Sequence, residues 1–204
     1  MTRNNDYIPE LVEIAKKLYQ ELEEKYNILV PVDFTISKYG DGKDVVCSIT
    51  NKIEGKHLGE INKSEEFLSK TEKLYASIAK YFLDKFREGG LYVWDLNGES
   101  QYVYGKKLGD KEDKIYLIDT DIWLSKNKND MYLSVYWLVR HMSWLEHQLD
   151  VKFQEARSYI NEFINQPLPE KVDESVEKNL DGIKKIMNDE KSEYNPESAI
   201  PRFE

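Results

Sequence analysis

Apolar residues recur at intervals of three and four from Ile8 to Tyr26, at Ile8, Leu11, Val12, Ala15, Leu18, Tyr19, Leu22 and Tyr26, with Glu and Lys between them. That period describes one face of an amphipathic helix. Asp6 suits its N-cap and Pro9 its first turn, where a missing N–H costs nothing. The pattern then changes. Val30 to Ser37 and Val45 to Ile53 are short, β-branched and partly alternating, with the turn residues Tyr39-Gly40-Asp41-Gly42-Lys43 between them, and they predict an antiparallel hairpin. Gly40-Asp41-Gly42 lacks the third glycine and following helix of a dinucleotide loop, so it reads as a turn rather than a phosphate cradle. Helical period returns from Asn62 to Arg87, with Phe67, Leu74, Tyr75, Ile78, Ala79, Phe82 and Phe86 on one face, Asn62-x-x-Glu65 as a capping box and Gly89-Gly90 as the stop.

Two further short apolar runs follow, Leu91 to Trp94 with Tyr102 to Tyr104, and Ile115 to Ile118 after the polar turn Lys107 to Lys114. Beyond Asp130 the period predicts helices over about 131–148, 150–165 and, after Pro167-Leu168-Pro169, 171–188. The last is mostly polar. Its sparse stripe of Val172, Val176, Leu180, Ile183 and Met187 suits docking on its own domain or on a partner. Trp123, Trp137 and Trp144, with Tyr132 and Tyr136, read as the core of this helical part. The tail from Asp189 to Glu204 reads as irregular, and the chain contains no internal repeat or low-complexity tract.

Composition narrows the function classes. With 38 acidic against 29 basic side chains the formal charge is −9, which disfavours a nucleic-acid backbone or an anionic membrane surface as the main partner. No apolar run approaches the ~20 residues of a membrane helix, and the first residues lead into no signal-peptide core, so the expectation is a cytoplasmic protein. One cysteine, Cys47, excludes an internal disulfide framework and a multi-cysteine metal site, and its apolar surroundings predict a buried thiol. His141 and His147 are six apart, on different helical faces, unlike a ligand pair. Lys106-Lys107 reads as a solvated turn.

The densest cluster of unusual residues is Asp95-Leu96-Asn97-Gly98-Glu99-Ser100-Gln101, followed by two short strands and then Asp119-Thr120-Asp121. An acid before one strand and a second just after its hairpin partner would open at one mouth. Mg²⁺ takes one or two carboxylates, an amide oxygen, waters and substrate phosphates, and Asp119, Gln101 and Asp121 offer the protein share of that set. Asp95, slightly apart, is free to orient a hydroxyl or accept its proton.

The order of helix, antiparallel hairpin, Glu54-Gly55-Lys56-His57-Leu58, long helix, Asp95 loop, short hairpin ending in Ile118-Asp119, then helices resembles the protein-kinase-like fold from its regulatory helix onward. Aminoglycoside and other small-molecule kinases share that fold, and the resemblance covers roughly residues 8–148. It implies that Glu54 and Gly55, with Lys52 and Ile53 before them, form the hinge that binds adenine through backbone groups. Asp95 would be the catalytic Asp of the family loop Asp-Leu-x-x-x-Asn, Gln101 its metal-binding amide, and Asp119 its metal-binding Asp, with Asp121 beside it. The chain departs from the family at Val93-Trp94, where His-Arg or His-Gly is usual, and in a loop spacing one residue longer, which places Ser100 at the normal amide position. Asp121 stands where glycine is usual, as in small-molecule kinases. A complete small lobe carries three strands, a glycine-rich loop and a phosphate-gripping lysine before its helix, whereas seven residues precede Ile8, so Glu10 and Glu13 have no assigned lysine partner.

The resulting expectation is an α+β fold. A small-lobe remnant (1–55) of helix, hairpin and hinge precedes a mostly helical kinase-like large lobe with short β-hairpins (56–166), and a C-terminal helix and tail (167–204) follow. The expected function is a nucleotide-binding phosphotransferase module, truncated or degenerate, using ATP and Mg²⁺ on an unidentified hydroxyl acceptor, with a protein partner as one source of the missing strands. The alternative is a non-catalytic, pseudokinase-like interaction protein. A small metal-dependent hydrolase using Asp95 and Asp119 is a third reading, which leaves Glu54-Gly55 unexplained.

Overall fold

The computed structural model describes residues 8–38, 40, 42, 44–60, 64–120, 124–169 and 171–188. The first helix, α1 (Ile8–Tyr26), buries Val12, Ala15, Leu18, Tyr19, Leu22 and Tyr26, the face its period predicts. It ends at Asn27, whose φ of 55° lies in the left-handed region that an amide side chain tolerates, while the Ile28 N–H reaches back to the Leu22 carbonyl (3.0 Å).

β1 (Val32–Lys38) and β2 (Asp44–Thr50) form the predicted antiparallel hairpin, a two-stranded sheet covered on one face by α1 through Phe34, which meets Tyr19 at 5.4 Å between ring centroids. Cys47 is therefore half-exposed rather than buried, because the hairpin's other face has no covering element among the described residues. The chain leaves the hairpin at Asn51-Lys52 and starts a separate strand, β3 (Ile53–His57), so Ile53 belongs to a second sheet.

α2 (Glu65–Glu88) is the central helix. Ser64 caps it by accepting from the Phe67 N–H (3.2 Å), two residues inside the predicted start at Asn62, which lies outside the described residues. Gly89 ends it with φ 76°. Twelve of its 24 residues are buried, among them the predicted face of Phe67, Leu74, Tyr75, Ile78, Ala79, Phe82 and Phe86, and Tyr81 and Leu83 widen that face so that several elements pack around α2. The ion pair Lys85–Glu21 (2.6 Å) and the Tyr26–Asp84 hydrogen bond (3.1 Å) tie it to α1.

β4 (Tyr92–Val93) follows, then a 3-10 turn at Glu99–Gln101, β5 (Tyr102–Lys107), β6 (Lys114–Leu117) and β7 (Leu124–Ser125). The second sheet has the order β3-β5-β6, all antiparallel, and β4 pairs separately with β7. Three helices complete the fold: α3 (Lys128–Leu149), α4 (Gln154–Ile164) and α5 (Glu174–Asn188). Asp150, with φ 55°, separates the first two. α5 docks on the chain's own α3, burying Val176, Leu180 and Ile183, and Gly182 lets it lie against the Tyr136 ring, where a Cβ would stand 2.6 Å from Cε2. Tyr132 is buried, Tyr136 and Trp144 pack against the core, Trp137 is half-buried, and Trp123 lies outside the described residues. One continuous apolar core runs from Val12 in α1 to Ile183 in α5. The fold is α+β, and among the described residues no helix is long and apolar enough to cross a membrane.

Candidate functional site

The Asp95 loop is held between two strands that the sequence separates by thirty residues. Tyr92 and Val93 pair with Ser125 and Leu124. The Val93 N–H donates to the buried Tyr81 hydroxyl oxygen (2.8 Å), and the Tyr92 hydroxyl donates to the Asn127 carbonyl (2.8 Å). Both ends of the segment from 92 to 125 are therefore anchored to the core. The β5–β6 hairpin inside it returns the chain, with Tyr102 opposite Leu117.

Gln101 joins the acid-bearing segments. Its carbonyl accepts from the N–H groups of Ile118 (2.8 Å) and Asp119 (3.4 Å), while its side-chain Nε2 donates to the Asp95 carbonyl (3.3 Å) and its Oε1 accepts from the Gly98 N–H (2.7 Å). The residue is 6% exposed. Its amide is thus spent on shaping the loop, with one lone pair of Oε1 left over. Asp95 is half-buried, and Asp119 is exposed just past β6. The Tyr102 hydroxyl donates to the Leu96 carbonyl (2.9 Å), and its pKa is pushed well up by burial first, then by the charges of Tyr75 and Asp95. That places the Asp95 carboxylate within electrostatic reach of β5. Asp121 lies outside the described residues.

Glu99 and His141 make a contact that local sequence patterns do not signal. Glu99 sits in the 3-10 turn and its carboxylate meets Nδ1 of His141 on α3, with both side chains less than one-fifth exposed. Burial raises the Glu99 pKa, but the hydrogen bond and charge of His141 outweigh it and hold the carboxyl below its ordinary value. The pair pins the Asp95 loop to the helical half. The partners are 42 residues apart, and only the fold brings them together.

Lys52 is exposed and reaches Glu54 at 3.5 Å in solvent. Ile53, Glu54 and Gly55 are the first three residues of β3, opposite Lys107, Lys106 and Gly105. The Leu58 N–H donates to the Tyr102 carbonyl (3.2 Å), and bonded and non-bonded pairs alternate along an antiparallel ladder. The backbone groups of Ile53, Gly55 and His57 therefore face the open edge of the sheet. Those of His57 are taken up by Glu60, whose N–H donates to the His57 carbonyl (2.9 Å). At Gly55 and Gly105 the strands approach so closely that a Cβ on either would stand 2.2 Å from a carbonyl oxygen of the other strand. A recess of about 210 Å³ borders this edge, lined by Glu54, Gly55, His57, Phe67 and Tyr104, with the two rings edge to face at 5.1 Å.

Among the described residues no three His, Cys, Asp or Glu side chains converge as a metal cage. Of the acids expected to hold a metal, the described residues include Asp119 alone, exposed just past β6. One carboxylate suits a Mg²⁺ that arrives already bound to phosphates, whose oxygens and waters complete the shell, rather than an ion held by protein alone. No protein-family model matches the chain, and no curated protein or solved structure shows significant similarity to it.

Proposed function

We propose that the chain is a nucleotide-binding phosphotransferase module of the kinase-like type, taking Mg-ATP and an acceptor hydroxyl. The observation that supports it most is the closure of β4 on β7 around two acid-bearing segments, with Gln101 hydrogen-bonded to both. Asp119 is the ligand for phosphate-borne Mg²⁺, with Asp121 as the second carboxylate. Asp95 orients the acceptor hydroxyl. The outward backbone groups of Ile53 and Gly55 take the hydrogen-bonding edge of adenine, with Lys52 and Glu54 at the rim, and the neighbouring recess accepts a flat, apolar-faced base. Mg²⁺ supplies charge neutralisation on the phosphates, and what the chain contributes is position.

A second reading has its own support. The Gln101 amide is committed to the loop, and no lysine is assigned to grip phosphates, an arrangement suited to a kinase-like interaction protein that binds nucleotide weakly or not at all.

A thermal melt with and without Mg-ATP tests the first reading. At one hundred times the dissociation constant a ligand stabilises the folded state by ~2.7 kcal/mol, roughly 5–10 °C for a domain of this size. Asp119→Asn should abolish the Mg²⁺ dependence of that shift. Absence of any shift up to millimolar Mg-ATP refutes the nucleotide reading and leaves the interaction protein, and phosphorylated acceptor establishes catalysis.

A further inference from the structure

β2 ends its two-stranded sheet, and among the described residues no strand lies along its other side. Its seven residues, Asp44-Val45-Val46-Cys47-Ser48-Ile49-Thr50, carry one charge, at one end, and neither proline nor glycine. Edge strands are normally blunted by lysine, proline or a bulge, and a lone two-stranded hairpin is marginal in water. Among the described residues nothing of that kind blunts this one.

The direction of the open backbone groups follows from the ladder. The Asn51 N–H donates to the Pro31 carbonyl (3.3 Å), and the Phe34 N–H is taken by the Asp33 carboxylate (2.8 Å) rather than by β2. Alternation then turns the N–H and C=O groups of Asp44, Val46, Ser48 and Thr50 away from β1. Side chains alternate as well. Val46 packs against the core with Phe34, so Val45, Cys47 and Ile49 form an apolar stripe on the opposite face, where Ile49 is 59% exposed.

We propose that β2 pairs antiparallel with β2 of a second copy of this chain, about a twofold axis through Cys47. This register overlaps all seven residues, and the ladder phase fits it: outward-facing Val46 meets Ser48 of the second copy, and Asp44 meets its Thr50. On the apolar face Val45 meets Ile49 of the second copy and Cys47 meets Cys47. Asp44, the one charge of the strand, faces Thr50 and never its own copy, so no like charges oppose each other, and the remaining contacts are apolar or neutral. The strand is therefore complementary to itself, which singles out a second copy over an unrelated strand. The proposal does not depend on the nucleotide reading. Such a strand pair buries less than the ~1,200 Å² of a standard interface, so association is weak and concentration-dependent.

Sedimentation velocity over a concentration series should show a reversible monomer–dimer equilibrium. Mild oxidation should yield a disulfide-linked dimer through Cys47, because opposed residues at a non-hydrogen-bonded antiparallel position lie ~4.5 Å apart between Cα atoms, within bridging range. Cys47→Ser should keep the reversible dimer and lose only the cross-link. Ile49→Lys, at an exposed position, should weaken dimerisation about tenfold or more, equivalent to roughly 1.4 kcal/mol, with an unchanged circular dichroism spectrum. Val46→Pro removes an N–H that β1 does not use and should also yield monomer; if it fails to fold, Ile49→Lys decides alone. A wild-type chain that stays monomeric at every concentration overturns the proposal, as does a dimer that ignores Ile49→Lys or cannot be cross-linked at Cys47.

Discussion

Replacing Arg157 by Leu should cost more stability than any surface change in this protein. Arg157, on α4, gives its Nε to Glu146 Oε1 (2.8 Å) and a second guanidinium nitrogen to Oε2 (2.5 Å), while Nη1 reaches the Met187 carbonyl at the end of α5 (3.2 Å). The Glu146 side chain is 1% exposed. One pair thus ties three helices together. In Arg157→Leu the carboxylate keeps only the Phe153 N–H (2.7 Å) and a distant Lys152 (3.9 Å). Breaking a buried pair on one side costs ~3–5 kcal/mol, because an uncompensated charge stays buried, and at roughly 2–4 °C per kcal/mol the midpoint should fall by about 6–20 °C. Glu146→Gln added to Arg157→Leu removes the charge, keeps an acceptor for the Phe153 N–H, and should restore at least half of the loss. Denaturant melts followed by circular dichroism measure both effects. A loss under about 1 kcal/mol for the single variant, or additive losses in the double variant, would refute the reasoning.

Gly105→Ala places a methyl 2.2 Å from the Glu54 carbonyl oxygen and should prise β3 from β5, costing about 1–3 kcal/mol and, if the Gly55 edge holds a base, the response to Mg-ATP as well; thermal melts with and without ligand check both. The Asp110 carboxyl is held down to about 2, first by the Tyr116 hydroxyl and then by the Lys107 N–H and Lys114, so its stabilisation is complete above the ordinary value near 3.8 and lost as pH falls toward 2. Asp110→Asn should flatten the acid stability curve in that window, and an unchanged curve would exclude the contribution. Glu99→Gln should loosen the Asp95 loop, costing about 1–2 kcal/mol, with faster amide exchange at Gly98 and Gln101. Because Glu99 is held below its ordinary value, its stabilisation is present at neutral pH and fades on acidification, and the variant should lack that part of the pH dependence.

Local periodicity made most of the fold legible. α1 is observed over Ile8–Tyr26, the predicted span, and α2, α4 and α5 lie within a few residues of theirs. The hairpin, too, was legible from its β-branched runs and intervening glycines. β7 was not, because Leu124-Ser125 is two residues without a pattern and becomes a strand only where Tyr92–Val93 lies beside it. Cys47 illustrates the opposite failure. Its apolar run predicts burial, but a sheet of two strands with one covered face leaves half of such a run in solvent.

The same division holds at the candidate site. Residue types and their order pointed to Asp95, Gln101 and Asp119 as a group, and to Glu54-Gly55 as a backbone feature. The fold alone decided that the Gln101 amide binds its own loop, that Gly55 lies in an edge strand with its backbone turned outward, and that Glu99 meets His141 while Glu146 meets Arg157. Helices and turns depend on residues within a few positions of one another, so the amino-acid sequence by itself determined them. Sheet register, burial and ion pairing depend on which distant elements share one core, and the packing of several elements around α2 decided those.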